Sequence, residues 1–242
     1  MVDKEKIKDA KKKKDGWWAS LFSGTVANLI LPFIADVKWI TPNLVTTFSL
    51  ALCFVACFYI ASGEYFNLII GGILVQFVFV FDCLDGQLAR YRNTSSNFGA
   101  WYDRVTDRVK DFILYFSLAW GHFVIYENWV IWPLAMTSLF FVYLFDYYVN
   151  QDIKLEAGGK KQEAKDEKKK KFKLLHFVFL LGEKVYKSIP VLQFHIGEQY
   201  LFITVFLIFN KIICLFYTVI ILGIFYAFYW PFSKYYGRKP IN

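Results

Sequence analysis

The 242-residue chain is 57% hydrophobic and 21% aromatic, with 27 Phe, 16 Tyr and 8 Trp, and its mean hydropathy is +0.36. A soluble domain carries about 45–50% apolar and about 25% charged residues, whereas here charge is 20% and falls in blocks. This excludes a disordered chain, a disulfide scaffold and most soluble enzymes, and favours a polytopic membrane protein whose net charge of +8 faces anionic lipid rather than nucleic acid.

Residues 1–16, MVDKEKIKDAKKKKDG, form a charged tail that does not read as a cleavable signal peptide. Residues 17–38 read as an interfacial amphipathic helix. Trp18, Leu21, Phe22, Val26, Leu29, Ile30 and Phe33 recur at helical spacing, and Ser20, Ser23, Gly24, Ala27 and Asn28 form the opposite, small-residue face. Trp17 and Trp18 would anchor it in the headgroup zone, and Pro32 weakens its end. A seventh, partial span is the alternative for this segment.

A six-helix membrane domain is expected over residues 39–232. Thr41 can cap, and Pro42 fits the first turn of, a span at 42–62. Ser62-Gly63-Glu64-Tyr65 turns into a second span from Phe66 to Phe81, which becomes acidic at Asp82. The third span runs from Phe98 to Gly121-His122 and the fourth over 129–149. Residues 150–173 form a lysine-rich insert that reads as a solvated loop, and 174–189 look amphipathic. The run 190–230 is long enough for two spans of about 20 residues each, turning at Asn210-Lys211. Residues 233–242 form a basic tail.

Six spans put both termini on one side. With that topology, 27 of the 28 basic residues lie on the terminal side and Lys211 alone lies opposite. The positive-inside rule then makes the terminal side cytoplasmic. Cys53, Cys57 and Cys214 sit in apolar runs, no CxxC is present, and His122, His176 and His195 are far apart. Neither a zinc site nor a disulfide framework is indicated. Glu198 and Asp146, within or near apolar runs, are functional candidates by position, although a structural bond to a neighbouring helix explains them equally well.

The informative stretch is DCLDGQLARYRNTSSNFGAWYDRVTD, residues 82–107. Asp82 and Asp85 are three apart, and Asp103 and Asp107 are four apart. On helices each pair projects from one face. The polar link Tyr91–Asn97 is long enough to turn the chain back, so the four carboxylates converge at one level near a membrane boundary. Four carboxylates cannot all stay ionised together without counter-charge. Oxygen-only ligation suits Mg²⁺, Mn²⁺ or Ca²⁺, and four Asp could hold two ions about 3.5–4 Å apart. Gly86 and Ala89 share the face of the acids and would let a ligand approach the backbone, and Arg90 suits bidentate phosphate contact. Two other readings use the same residues. One is a salt-bridge network among these acids, Asp111, Arg90, Arg92, Arg104, Arg108 and Lys110. The other is a cation-coupled transporter, whose acids should lie nearer mid-span.

The pattern Asp82-x2-Asp85-Gly86-x2-Ala89-Arg90-x8-Gly99-x3-Asp103-x3-Asp107 resembles the signature of the CDP-alcohol phosphatidyltransferases, with every fixed position matched. The Thr41-Pro42-Asn43-x2-Thr46 element and the six spans behind an interfacial helix resemble that family too. The resemblance implies transfer of a phosphatidyl (phospho-alcohol) group from a CDP-linked lipid donor to an alcohol, with release of CMP. It implies two divalent ions, Mg²⁺ or Mn²⁺, on Asp82, Asp85, Asp103 and Asp107, with Asp107 also the general base. It places Gly86, Ala89 and Gly99 at the cytidine, Arg90 at the diphosphate, and Asn43 and Thr46 near the nucleotide. It also implies a homodimer. The residue after Asp103 is Arg104, where enzymes that act on glycerol phosphate tend to have Pro. The DRxxDR arrangement looks more like the inositol-phosphate, serine or archaeal polar-lipid branches. Arg104, Arg108, Lys110 and Lys154 could bind a phosphorylated acceptor, or serve as positive-inside residues on anionic lipid. A non-catalytic membrane scaffold is a further reading, against which the complete set of four Asp weighs. The basic runs carry no nucleic-acid reading motif.

Overall fold

The computed structural model describes residues 7, 10, 16–157 and 196–235, with backbone alone for 150–157 and 232–235. Every described element is a helix: α1 (Ala19–Ile34), α2 (Pro42–Ala61), α3 (Tyr65–Tyr91), α4 (Asn97–Tyr126), α5 (Ile131–Ala157), α6 (Ile196–Ile208) and α7 (Ile212–Tyr235). The all-helical membrane architecture expected from composition is therefore what the chain adopts. Among the described residues, α2, α3 and Ile212–Pro231 of α7 are long and apolar enough to cross a membrane. The 30 residues of α4 and 27 of α5 reach bilayer length but carry more charge.

Element ends follow local chemistry. The Thr41 side chain accepts from Leu44 N, with Pro42 at the first helical position of α2. The Ser96 side chain accepts from Gly99 N at the start of α4. Four turns rest on left-handed residues: Gly63 (φ +71°), Asn93 (φ +53°), Glu127 (φ +51°) and Asn210 (φ +50°). Asn93 lies in the α3–α4 turn and Asn210 in the α6–α7 turn, where Asn210-Lys211 was expected to reverse the chain.

Several boundaries moved. α3 continues ten residues past the apolar run that ends at Phe81, to Tyr91, so Asp82 and Asp85 are helical residues, as their spacing required. α5 runs through residues 150–157, the beginning of the expected solvated insert. α1 passes through Pro32 to Ile34, after a π-helical first stretch at Ala19–Ser23. The amphipathic stretch at 174–189 lies outside the described residues.

The chain divides into two compact units, one built from residues up to Met136 together with Phe194–Phe216, the other from the remainder. In the second unit, Phe145 packs on Tyr226 and Trp230 at ring separations of 4.8 and 5.9 Å. The first unit carries every charged residue of the 82–107 signature. There α3 packs against α1, α2 and α6, and α2 also packs against α4.

The burial of α1 inverts the soluble-protein expectation. Ala19, Ser23, Gly24, Ala27 and Leu31 face the protein, whereas Leu21, Leu29 and Phe33 are 69%, 67% and 80% exposed. Small residues let backbones approach, and a lipid environment does not penalise exposed Leu and Phe. Ala27, Leu31 and Ala35 join Val80, Leu84 and Leu88 of α3 in one cluster. Ile7 and Ala10, from the expected charged tail, are buried in the same cluster.

Arg92 fixes the connection from α1 to α2. Its guanidinium donates to the carbonyls of Ile34, Ala35, Val37 and Ile40 at 2.6–2.9 Å. These carbonyls lie at and beyond the C-terminal end of α1, where intrahelical donors run out. At the other end of the bundle, Gly63 and Gly121 bring the end of α2 against α4. A methyl at Gly121 would strike the backbone carbonyl of Ile60. By contrast, a methyl at Gly72 would lie 3.5 Å from Thr204 Cα, an ordinary contact. Gly121→Ala is therefore expected to destabilise the protein by about 1–3 kcal/mol, and Gly72→Ala to change stability by less than about 0.5 kcal/mol. Thermal unfolding of the two variants in one detergent distinguishes them.

Candidate active site

The site is built where the C-terminal turns of α3 and the N-terminal turns of α4 meet α2. Asp82 and Asp85 lie one turn apart on α3, and Asp103 and Asp107 one turn apart on α4. One carboxylate oxygen each from Asp82, Asp85 and Asp103 lies within 4.8 Å of the others. These three come together as the spacing predicted. The donor set is oxygen only, and an Mg²⁺–O distance of about 2.0–2.1 Å puts opposed ligands roughly 4 Å apart, so the cluster fits one hard divalent cation.

The fourth acid is held differently. Asp107 Oδ1 accepts from Lys110 Nζ at 2.8 Å, and the same ammonium pairs with Asp82 Oδ1. Lys110 is fully buried, while the Asp82 and Asp107 side chains are 14% and 13% exposed. Expected as an acceptor ligand, Lys110 instead lies between two of the four carboxylates. The salt-bridge reading of the sequence also groups Lys110 with these acids, and three positions after Asp107 it shares one helical face with it.

Thr46, expected near the nucleotide, is buried and donates its hydroxyl to Asp85 Oδ2 at 2.5 Å. Its oxygen also reaches Pro42 O at 3.2 Å. The Asp85 carboxylate is thereby oriented from α2. Asn43 lies one turn before Thr46, and its Oδ1 is 3.4 Å from where a Cβ on Gly99 would be. Asn43 and Gly99 are thus neighbours, as a shared role requires. Gly86 lies under the Arg90 guanidinium, whose Nη1 is 3.2 Å from where a Cβ on Gly86 would be, and Arg90 Nε donates to Ala10 O at 2.6 Å. Ala89 is half-buried on the following turn of α3.

The other expected acceptor residues diverge. Arg104 is exposed, with Nε on Ala100 O at 2.8 Å. Arg108 pairs with Asp111 at 3.3 Å, and Gln199 Nε2 of α6 reaches Asp111 Oδ1 at 3.4 Å. The Lys154 side chain lies outside the described residues. Glu198 is fully buried in α6 and accepts from Trp18 N at 3.2 Å, so it ties the start of α1 to α6. Trp18 Nε1 continues this tie through Gln76, whose amide reaches Thr204 Oγ1 at 2.7 Å. These bonds are structural, and they explain an intramembrane acid that position alone left open.

The sequence profile of the CDP-alcohol phosphatidyltransferase family matches residues 39–230. A bifunctional IPC transferase and DIPP synthase of Aquifex aeolicus is 33% identical over 126 residues, which are 52% of this chain and 27% of that protein. The phosphatidylinositol phosphate synthase of Mycobacteroides abscessus is 33% identical over 125 residues, 49% of this chain and 52% of that protein. The chain thus spans about half or less of the length of these curated relatives. Among solved structures, the phosphatidylinositol phosphate synthase of Mycobacterium tuberculosis with CDP-DAG bound is similar at 20% identity and a TM-score of 0.48, covering 84% of this chain and 90% of the other.

The Thr46–Asp85 bond has a direct consequence for cation affinity. Groups that orient a ligating carboxylate typically contribute about 10–100-fold. Thr46→Val is expected to weaken Mn²⁺ binding by about tenfold or more, and Thr46→Ser to retain it. The paramagnetic resonance signal of free Mn²⁺ during titration measures both.

Proposed function

The chain belongs to the CDP-alcohol phosphatidyltransferase family, and we propose that it transfers a phosphatidyl or related phospho-alcohol group from a CDP-linked lipid to an inositol-phosphate-class acceptor. The observation that carries the reading is the convergence of the Asp82, Asp85 and Asp103 oxygens within 4.8 Å, beside Thr46 and Asp107. The inositol-phosphate class is favoured by the names of the relatives and by Arg104 after Asp103.

In this reading Asp82, Asp85 and Asp103 hold a divalent cation, Mg²⁺ or Mn²⁺, with Thr46 orienting Asp85. The bound cation neutralises diphosphate charge and the charge that develops on the leaving group. Arg90, above Gly86, receives the diphosphate. Gly86, Ala89 and Gly99 admit the cytidine close to backbone, with Asn43 at the Gly99 edge. The acceptor hydroxyl oxygen forms a bond to the lipid-linked phosphorus. The bond from that phosphorus to the bridging oxygen breaks, and its electron pair leaves on CMP. Asp107, through the oxygen that Lys110 does not hold, takes the hydroxyl proton as the new bond forms. Because the acids lie near the ends of α3 and α4, one donor can keep its nucleotide at the site and its acyl chains among the exposed aromatics of the helices.

We assign the site and both termini to the cytoplasmic side, on the charge asymmetry of the sequence, and take a homodimer as the working assembly. The test is divalent-dependent CMP release from CDP-diacylglycerol in detergent or vesicles, with inositol phosphate, serine, glycerol phosphate and inositol compared. Inositol phosphate is expected to be the acceptor used, and chelation with EDTA to stop release. Asp107→Asn is expected to lower turnover by about 10²–10⁴-fold while cation binding persists. Asp107→Asn at near-normal turnover removes the base assignment, and CMP release that EDTA leaves unchanged removes the metal reading.

A further inference from the structure

Lys110 is the feature that the spacing of the acids does not explain. Its side chain is fully buried on α4, one turn beyond Asp107, and its ammonium contacts both Asp107 Oδ1 and Asp82 Oδ1. An ammonium is kept in such a place only when it is paired and hydrogen-bonded, and here both partners are carboxylates. The four acids are thereby divided. Asp82, Asp85 and Asp103 form the group that closes on one cation-sized volume. Asp107 lies outside that group and shares the Lys110 ammonium with Asp82.

We propose that the Lys110 ammonium is the second cation of this site: it takes the position between Asp82 and Asp107 that a second divalent ion would occupy, and the chain binds one divalent ion, on Asp82, Asp85 and Asp103. The inference rests on the transferase reading above and revises the expectation of two ions. The physical argument is occupancy and charge. An ion bridging α3 and α4 through Asp82 and Asp107 would have to sit beside the ammonium that already contacts one oxygen of each. Two cations at that point would repel at close range in a site with little water to screen them. The lysine is covalently carried by α4 and its reach is set by the helix, so its position does not depend on ion concentration. It also ties α3 to α4 whether or not a divalent ion is bound, which keeps Asp107 placed beside the acceptor position.

Ion stoichiometry tests this without reference to turnover. The full chain in detergent, with no lipid donor, is titrated with Mn²⁺, and free Mn²⁺ is followed by its paramagnetic resonance signal. The wild type is expected to bind one Mn²⁺ per chain. Lys110→Met, similar in length and uncharged, is expected to bind two, and Lys110→Met combined with Asp107→Asn to return to one. Two Mn²⁺ in the wild type, or one in a folded Lys110→Met, overturns the inference. Lys110→Gln provides the same comparison where Lys110→Met does not fold, and the wild-type count stands independently of either variant. A wild type that binds two ions and releases CMP sinks the role of Lys110 alone. A wild type that binds no Mn²⁺ sinks the inference and the metal-dependent reading together.

Discussion

Carboxylates brought within a few ångströms of one another at the end of a membrane helix must find counter-charge, and the rest of the site is arranged around that requirement. Three devices meet it. Lys110 supplies a buried ammonium to Asp82 and Asp107. Thr46 supplies a hydroxyl to Asp85. The remaining oxygens converge on a cation-sized volume. Each device comes from a different place on the chain, so the site depends on how α2, α3 and α4 are held together. Ser49 Oγ on Val78 O and Thr47 on the Tyr102 hydroxyl, both at 2.9 Å, hold α2 to its two neighbours near the acids.

The same logic extends outward. α1 contributes no ligand, yet it is fastened at both ends. Trp18 bonds to Glu198 and Gln76 at its start. Arg92 gathers four carbonyls at and after its end. Gln87, two residues past Asp85 on α3, donates to Gly24 O at 2.8 Å in its middle. In an apolar surround such bonds are valuable because water does not compete for either partner. α1 therefore braces the α3 segment that carries the acids.

Much of this was legible in the residues. The caps at Thr41-Pro42 and the turn at Asn210 depend on neighbours in sequence, and they appear where local chemistry put them. The i, i+3 and i, i+4 spacing of the acids placed each pair on one face, and the polar Tyr91–Asn97 link provided the reversal. Other features depend on what a segment packs against. The bonds that fasten α1 to α3 and α6 are such features, whereas burial of its small face accords with the interfacial reading of its large apolar side chains. The end of α5 was obscured because its charged residues resemble those of a solvated loop. Lys110 reads both as a partner of these acids and as a basic residue for a phosphorylated acceptor or anionic lipid, and the sequence does not decide between them. Its burial follows from Asp82, 28 residues earlier, which only the fold brings near.

Arg90 and Lys110 show how the same charge can have opposite duties within one site. Lys110 sits deeper along α4, is fully buried, and has two carboxylates on its ammonium. Arg90 is exposed, sits two turns beyond Asp82 on α3, and spends Nε on the Ala10 carbonyl. That bond helps to set the guanidinium over Gly86, with Nη1 the nearest atom to the open side of the glycine. A guanidinium offers planar, forked donors suited to a diphosphate, and at an exposed position it can meet an anion arriving from solvent. An ammonium already shared by two carboxylates has lost most of that attraction. The two positive groups therefore differ by burial: the inner one is paired with two of the acids, and the outer one is the group that the proposed function turns toward the negative charge of a donor.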